Sequence, residues 1–334
     1  MGSVLFSGFR YSHHNLGSGY DGVVHNNRDY VCGNLLPFST YPEPSYARKL
    51  NFLLVDVLTL IRGMKYSAIH YFYPEDTSFF SPLILKCIGK TIIYTIHSDK
   101  ERWLSPARNP FWWMKRQCLK HAAGVVISLS SAQAIEFQQL FPDKRVFFVP
   151  LGLDMNTPAP GDEQLIKRFD QLRVVMVGSN YRDFDMLEKI IRSRSIRPAT
   201  FHLIGLDKAN RKRFANVPGV TCYDRLEAEE YAELLQSSFI MALPLTFATA
   251  NCALLEAHKF YLPAVCSDIP GVRDYATEDT VLFSRYEDFW NAFDRLVSLG
   301  FPAYRDVCVR THKEAQARFS WSKIRRELIT ALQD

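Results

Sequence analysis

No stretch of this 334-residue chain approaches the roughly 18 to 20 consecutive apolar residues that a membrane-spanning helix needs. The opening MGSVLFSGFRYSHH has neither a basic leader nor a long apolar core, so a secretory signal is not expected. Seven cysteines, an odd number, lie singly with no Cys-x-x-Cys pair. That scatter argues against a disulfide framework and a structural zinc, and predicts free thiols in a reducing cytosol. No repeat of short period occurs. A strong excess of charge is missing too: the net charge is +5, and it is unevenly placed. Residues 1–155 hold 16 Lys and Arg against 11 Asp and Glu, whereas the rest holds 24 against 24. The positive excess therefore belongs to the first half.

What is present is apolar material in short, regular doses. Hydrophobic residues make up 47% of the chain, enough for two cores at this length. Strand-like runs fall at 3–9, 67–73, 91–97, 123–130 and 145–152, then at 172–178, 199–205, 220–224, 239–245 and 263–268. Amphipathic segments such as DMLEKIIRS and EEYAELLQS separate them. Continuous β-branched runs alternating with helices predict parallel sheets covered on both faces. The Pro- and Gly-bearing NTPAPGDEQ at 156–164 reads as a linker. The expected fold class is α/β, two Rossmann-like doubly wound domains facing across a cleft, with strand ends as the places to search for chemistry.

Five motifs lie at or near such ends. GSGYDG at 17–22 matches the dinucleotide pattern by letter. It follows its strand too late and precedes too poor a helix to hold a nicotinamide or flavin. Gly17, Ser18, Gly19 and Tyr20 are instead read as a loop on the acceptor side. His97 closes the strand TIIYTIH and is either a capped structural residue or a group that meets substrate, while His13 and His14 default to surface loop. The segment 100–121 carries six Lys or Arg, one acid and three of the five tryptophans. It suits an anionic lipid surface, a phosphate-bearing acceptor or single-stranded nucleic acid, against the plainer reading of an ordinary helix with a buried aromatic face. Asp183 and Asp185 in DFD look like a metal-binding pair, but Asp183 reads better as a helix cap, and no metal is expected. Arg182 beside them is placed to clamp a diphosphate. Last, CALLEAHKF opens a helix after the strand FIMALPL and the turn FATAN, and sets Glu256 about one turn in. A helix start binds phosphate, and a carboxylate there can accept ribose hydroxyls, although dipole stabilisation alone also favours an acid at that place.

The stretch PLTFATANCALLEAHKFYLPAVCSDIPGVRDY, residues 244–275, resembles the donor-binding signature of retaining GT-B glycosyltransferases of the family 4, or group 1, type. Pro244, Leu255-Glu256-Ala257, Pro263, Val265, Ser267-Asp268 and Gly271 match in place. VVISLSSAQAIEF and VPLGLD look like the end of an acceptor domain, VVMVGS like the start of a donor domain, and FSWSKIRRELITAL like a last helix that crosses back. The resemblance implies an acceptor domain over 1–155, a nucleotide-sugar donor domain over 156–310 and a returning helix over 311–334. It implies that Glu256 holds the donor ribose, that the backbone from Ala250 through Asn251 and Cys252 to Ala253 cradles the diphosphate, with Thr249 beside it, and that Gly178 and Arg182 lie near the phosphates. Arg225 and Leu226 would border the base, and His97 would lie near the donor sugar. Ala248 stands where the family has a second Glu, Thr249 and Asn251 where it has glycines, and Tyr261 at another glycine position.

The implied activity is transfer of a sugar from a nucleoside diphosphate to a hydroxyl, with retention and without a cofactor. The preferred acceptor is a lipid-linked saccharide of bacterial surface polysaccharide. The expected location is cytoplasmic, peripheral on the inner face of the plasma membrane. Three other readings stay open: a nucleotide-sugar epimerase, an enzyme that glycosylates nucleic-acid bases, and an inactive sugar-nucleotide sensor.

Overall fold

The computed structural model describes residues 3–9, 19–24, 29–32, 46–104, 109–193, 198–224 and 226–333. The chain divides into two compact units, Met1–Gly152 with Trp321–Asp334, and Leu153–Ser320.

Six strands build the first unit: β1 (Val4–Gly8), β2 (Tyr30–Cys32), β3 (Ala68–Tyr71), β4 (Thr91–Ile96), β5 (Val125–Ser128) and β6 (Arg145–Phe148). They pair in parallel in the order β2-β1-β3-β4-β5-β6. Four residues of β5, Val-Val-Ile-Ser, are all buried, as a strand covered on both faces must be. Helix Tyr46–Gly63 packs on this sheet through Phe52 and Val55. Its Asp56, also buried, accepts the backbone N–H groups of Phe79, Phe80 and Ser81 and the Ser81 hydroxyl at 2.6–3.1 Å. The acid thereby caps the helix Ser81–Cys87 from outside it. Helix Trp321–Gln333 belongs with this unit. Its Trp321 ring lies so close to Gly22 and Gly152 that a Cβ on either would sit 2.1 or 2.5 Å from the indole.

The second unit repeats the plan with β7 (Arg173–Val177), β8 (Thr200–Ile204), β9 (Val220–Tyr223), β10 (Ile240–Leu243), β11 (Ala264–Ser267) and β12 (Val281–Phe283). The order is β12-β11-β10-β7-β8-β9, again parallel. The chain builds outward from β7 through β8 and β9, then returns to the other side of β7 with β10. Loops after β7 and β10 therefore diverge from adjacent strand ends, the switch point at which open α/β sheets bind ligands. Phe239, Phe289, Phe293 and Trp290 fill the core beneath.

Candidate active site

At that switch point the sequence forces two unusual turns. Gly178 leaves β7 at φ +85°, and Tyr181 follows at φ +55°, a left-handed conformation that costs a side-chain-bearing residue about 1 kcal/mol or more. The Tyr181 carbonyl repays part of this by accepting the Thr246 N–H at 3.0 Å, and its ring packs edge-on against Phe247 at 5.1 Å. Arg182 is thus pressed against the end of β10, bridging to Leu245. Its guanidinium donates to the carbonyls of Val177 (2.8 Å) and Asn180 (3.0 Å). A Cβ on Gly178 would stand 3.2 Å from Nη2, so glycine leaves the guanidinium its room. Burial draws the Arg182 pKa down to about 10, opposed by Tyr231, Cys266, Cys252 and Glu256. The side chain stays cationic at neutral pH.

The helix Cys252–Lys259 starts beside it. Asn251 caps this helix, its side chain accepting the Leu254 N–H at 3.1 Å. Its side chain is thereby engaged at the helix start. Cys252 occupies the first helical position, where a thiol is ordinarily acidified. Here burial, with the nearby Glu256 charge, pushes it up to about 12, and the thiol is protonated. Glu256 is buried, and its Oε2 accepts the Tyr231 hydroxyl at 2.5 Å. Burial first and Glu256 second raise the Tyr231 hydroxyl well above its ordinary pKa, so it remains a donor. Tyr231 comes from the helix Ala228–Gln236, opened by a reciprocal Glu227–Glu230 capping box. No sequence signal singled it out, because a tyrosine on an amphipathic helix reads as packing.

The turn preceding this helix is held from behind. Leu245 N–H donates to Ser267 Oγ at 2.7 Å, and a Cβ on Gly271 would lie 1.8 Å from the Ala248 carbonyl oxygen. Ala250 is half-buried and Thr249 buried in that turn. Leu226 is half-buried ahead of the Tyr231 helix, and Arg225 lies outside the described residues. Asp183 is a cap, accepting Met186 N–H at 2.8 Å, and Asp185 pairs with Arg213 at 2.7 Å. Among the described residues no cluster of three or more His, Cys, Asp or Glu side chains is arranged to hold a metal ion.

His97 lies in the other unit, just after β4. Its N–H donates to Glu75 Oε1 at 2.7 Å, and the same oxygen accepts Ser98 N–H and Oγ at 2.9 and 3.1 Å. The ring packs on Tyr73 (4.3 Å) and edge-on to Tyr20 (5.2 Å). Burial lowers its pKa to about 4, so the imidazole is neutral at physiological pH. Tyr20 departs from its expected place on an acceptor-facing loop. The ring is fully buried, stacked on Phe72 and edge-on to Trp321 at 5.8 Å, while its hydroxyl accepts from Thr95. Gly19 is the buried residue that starts its short 3-10 turn; Gly17 and Ser18 lie outside the described residues. In the 100–121 segment Trp103 is sealed in the core, Trp112 packs edge-on to it with Arg102 over its ring, and Trp113 is exposed. Trp103 thus follows the plainer reading, while Phe111 and Trp113 are exposed.

The arrangement in the second unit combines a cation, a helix N-terminus and a carboxylate within one strand-to-helix corner, a set suited to an anion flanked by hydroxyls. Residues 164–298, within this unit, match the family model described as glycosyl transferases group 1. No curated protein matches the chain. Among solved structures it is similar to Anabaena Alr3699/HepE in complex with UDP-glucose, at TM-score 0.70 and 13% identity over 100% of both chains. It is similar also to sucrose-phosphate synthase from Thermosynechococcus elongatus, at TM-score 0.67 and 16% identity over 99% of this chain and 88% of that one. TarM of S. aureus, in complex with UDP among other ligands, is similar at TM-score 0.64 and 14% identity over 85% and 59%. The fold is GT-B.

Proposed function

We propose that this chain moves a sugar, a hexose first among candidates, from a nucleoside diphosphate to a hydroxyl of a saccharide or lipid-linked saccharide. The observation that carries the reading is Glu256, held by Tyr231 one turn inside a helix whose start adjoins Arg182, within the residues that match the group 1 glycosyl transferase model. UDP is the first donor to test, because it is the nucleotide bound in both HepE and TarM.

In this reading Glu256 takes the ribose hydroxyls, and the backbone from Ala250 to Ala253 with Arg182 takes the diphosphate. As the bond from the anomeric carbon to the diphosphate breaks, negative charge grows on the leaving oxygen, where a fixed cation and helix amides stabilise it most. No metal takes part. The acceptor oxygen attacks the same face, and its proton passes to the departing phosphate, which gives retention. The acceptor falls to the first unit, whose positive excess suits a phosphate-bearing saccharide. Surface-polysaccharide assembly is the setting that such an acceptor implies.

A thermal-shift series with UDP, GDP, ADP and dTDP sugars, with NAD and FAD as controls, tests the donor. Ligand at about 100 times its dissociation constant adds roughly 2.7 kcal/mol of stability. Glu256→Ala is expected to weaken UDP at least about a hundredfold, the scale of two lost charge-assisted hydrogen bonds, with circular dichroism unchanged. A variant that still binds UDP normally would mean the donor site lies elsewhere.

A further inference from the structure

Tyr261 stands where the related signature has a glycine, and it holds φ +56°, a left-handed conformation that disfavours a side chain. The donor reading does not use it. Residues 156–159, Tyr261 and one face of the helix Gly300–Phe319 enclose an open cavity of about 520 Å³ within the second unit. Val309, His312, Lys313 and Gln316 share that face through their spacing of three and four residues. The buried wall is the stacked pair Tyr261 and His312, 8% and 3% exposed, with ring centroids 3.8 Å apart. The Tyr261 hydroxyl donates to the Thr157 carbonyl at 3.4 Å, which ties the outer wall to the ring. A side chain kept in a strained conformation on the wall of a cavity points to a use for that cavity.

The lining sets the chemistry of the occupant. His312 Nδ1 meets two carbonyls, at 3.1 Å each, and carbonyls only accept, so Nδ1 carries the proton. Burial lowers the pKa of this histidine, which leaves the ring neutral at physiological pH and Nε2 an acceptor. An acceptor on a buried wall calls for a hydroxyl donor. Pro158, Ala159 and Val309 give apolar contact to the C–H face of a ring, and the Asn156 and Gln316 amides can both donate and accept. No carboxylate is among the described residues that line the cavity, and Lys313, exposed, makes no ion pair with any described residue. We propose that this cavity binds a small sugar carrying an anionic group, with a hydroxyl on His312 Nε2 and the phosphate or carboxylate on Lys313. The site is separate from the donor corner: His312 meets the last residues of the helix Cys252–Lys259, whose first residues form that corner. The inference goes beyond the transfer reading and stands independently of it.

The test is isothermal titration of the full chain with glucose 6-phosphate and with glucuronate, against glucose and inorganic phosphate, each with and without UDP. The two anionic sugars separate a phosphate ligand from a carboxylate one. At least one of them is expected to bind at least about tenfold more tightly than glucose or phosphate, the worth of one charge-assisted hydrogen bond. UDP is expected to leave that affinity unchanged. Lys313→Ala is expected to bring the anionic sugar down to the level of glucose, and Lys208→Ala, the same change at an exposed lysine outside the cavity, to have no effect. Tyr261→Gly, which suits a left-handed backbone, removes the wall and is expected to weaken the anionic sugar at least about tenfold. Thermal melts check that each variant folds. Failure of both anionic sugars to bind, equal binding of inorganic phosphate, displacement by UDP, or full affinity in folded Lys313→Ala or Tyr261→Gly would each overturn the proposal. A chain that ignores UDP yet binds the anionic sugar through Lys313 would sink the transfer reading and leave this site standing.

Discussion

The two ends of the helix Cys252–Lys259 are built for different purposes. At its C-terminal end the protein answers its own carbonyls. Arg168, buried to 1% exposure, donates to the carbonyls of Gln236, Tyr261 (3.0 Å) and Phe260 (3.2 Å). His312 Nδ1 meets the carbonyls of His258 and Lys259, each at 3.1 Å, and its ring stacks on Tyr261 at 3.8 Å. Cationic and donor groups belong at a helix C-terminus, and here they seal it. The N-terminal end has the reverse arrangement. Asn251 takes one amide, Arg182 stands beside the first turn bound to the carbonyls of Val177 and Asn180, and Glu256 is met by a tyrosine hydroxyl. A buried arginine spent on three carbonyls is architecture; Arg182, anchored at the rim of a strand-to-helix corner, is the cation that the proposed donor reading uses.

Breaking the sealed end is expected to have the largest effect. Arg168→Met strands three buried carbonyls and is expected to cost about 3–5 kcal/mol in a urea unfolding experiment, while the folded fraction binds UDP with unchanged affinity. An equal loss of affinity would show that the two ends are not separable.

Acid attacks the same end. Burial lowers the His258 pKa from 6.5 to about 4, so between those values the unfolded chain holds a proton that the native chain refuses. Stability is complete above about pH 6.5 and falls as pH drops toward 4, by about 3 kcal/mol for His258 at pH 4. His258→Gln is expected to flatten that part of the pH dependence of the melting temperature. A profile identical to that of the parent would assign the acid sensitivity elsewhere, with His70, lowered by burial to about 3, first in line.

The open end is expected to respond the other way round. Tyr231→Phe removes one hydrogen bond to Glu256, so UDP affinity is expected to fall about tenfold, equivalent to about 1.4 kcal/mol, with little change in unfolding free energy. A large stability loss with unaltered affinity would make Tyr231 a packing residue.

Much of the architecture was legible because parallel strands covered on both faces leave continuous apolar runs, as β5 and β10 do. Glu256, Gly178 and Arg182 could be singled out because each stands at a strand-to-helix junction. Tyr231 could not, since its role depends on two helices meeting. Tyr20 was misplaced for a related reason: glycines on both sides suggest an open loop, yet its ring is closed over by Trp321, some three hundred residues away in sequence. Tyr261 is instructive as well. It holds a glycine position of the related signature at φ +56°, and its stack on His312 shows what offsets the strain.

The approach of Gly271 to the Ala248 carbonyl sets a rule for how this corner can drift through sequence space. A clash between two side chains can be cured by a compensating change at the partner, but a main-chain oxygen offers no letter to rewrite. In a saturation library position 271 should therefore behave as an invariant, while 248, which lends the corner its backbone, accepts many substitutions.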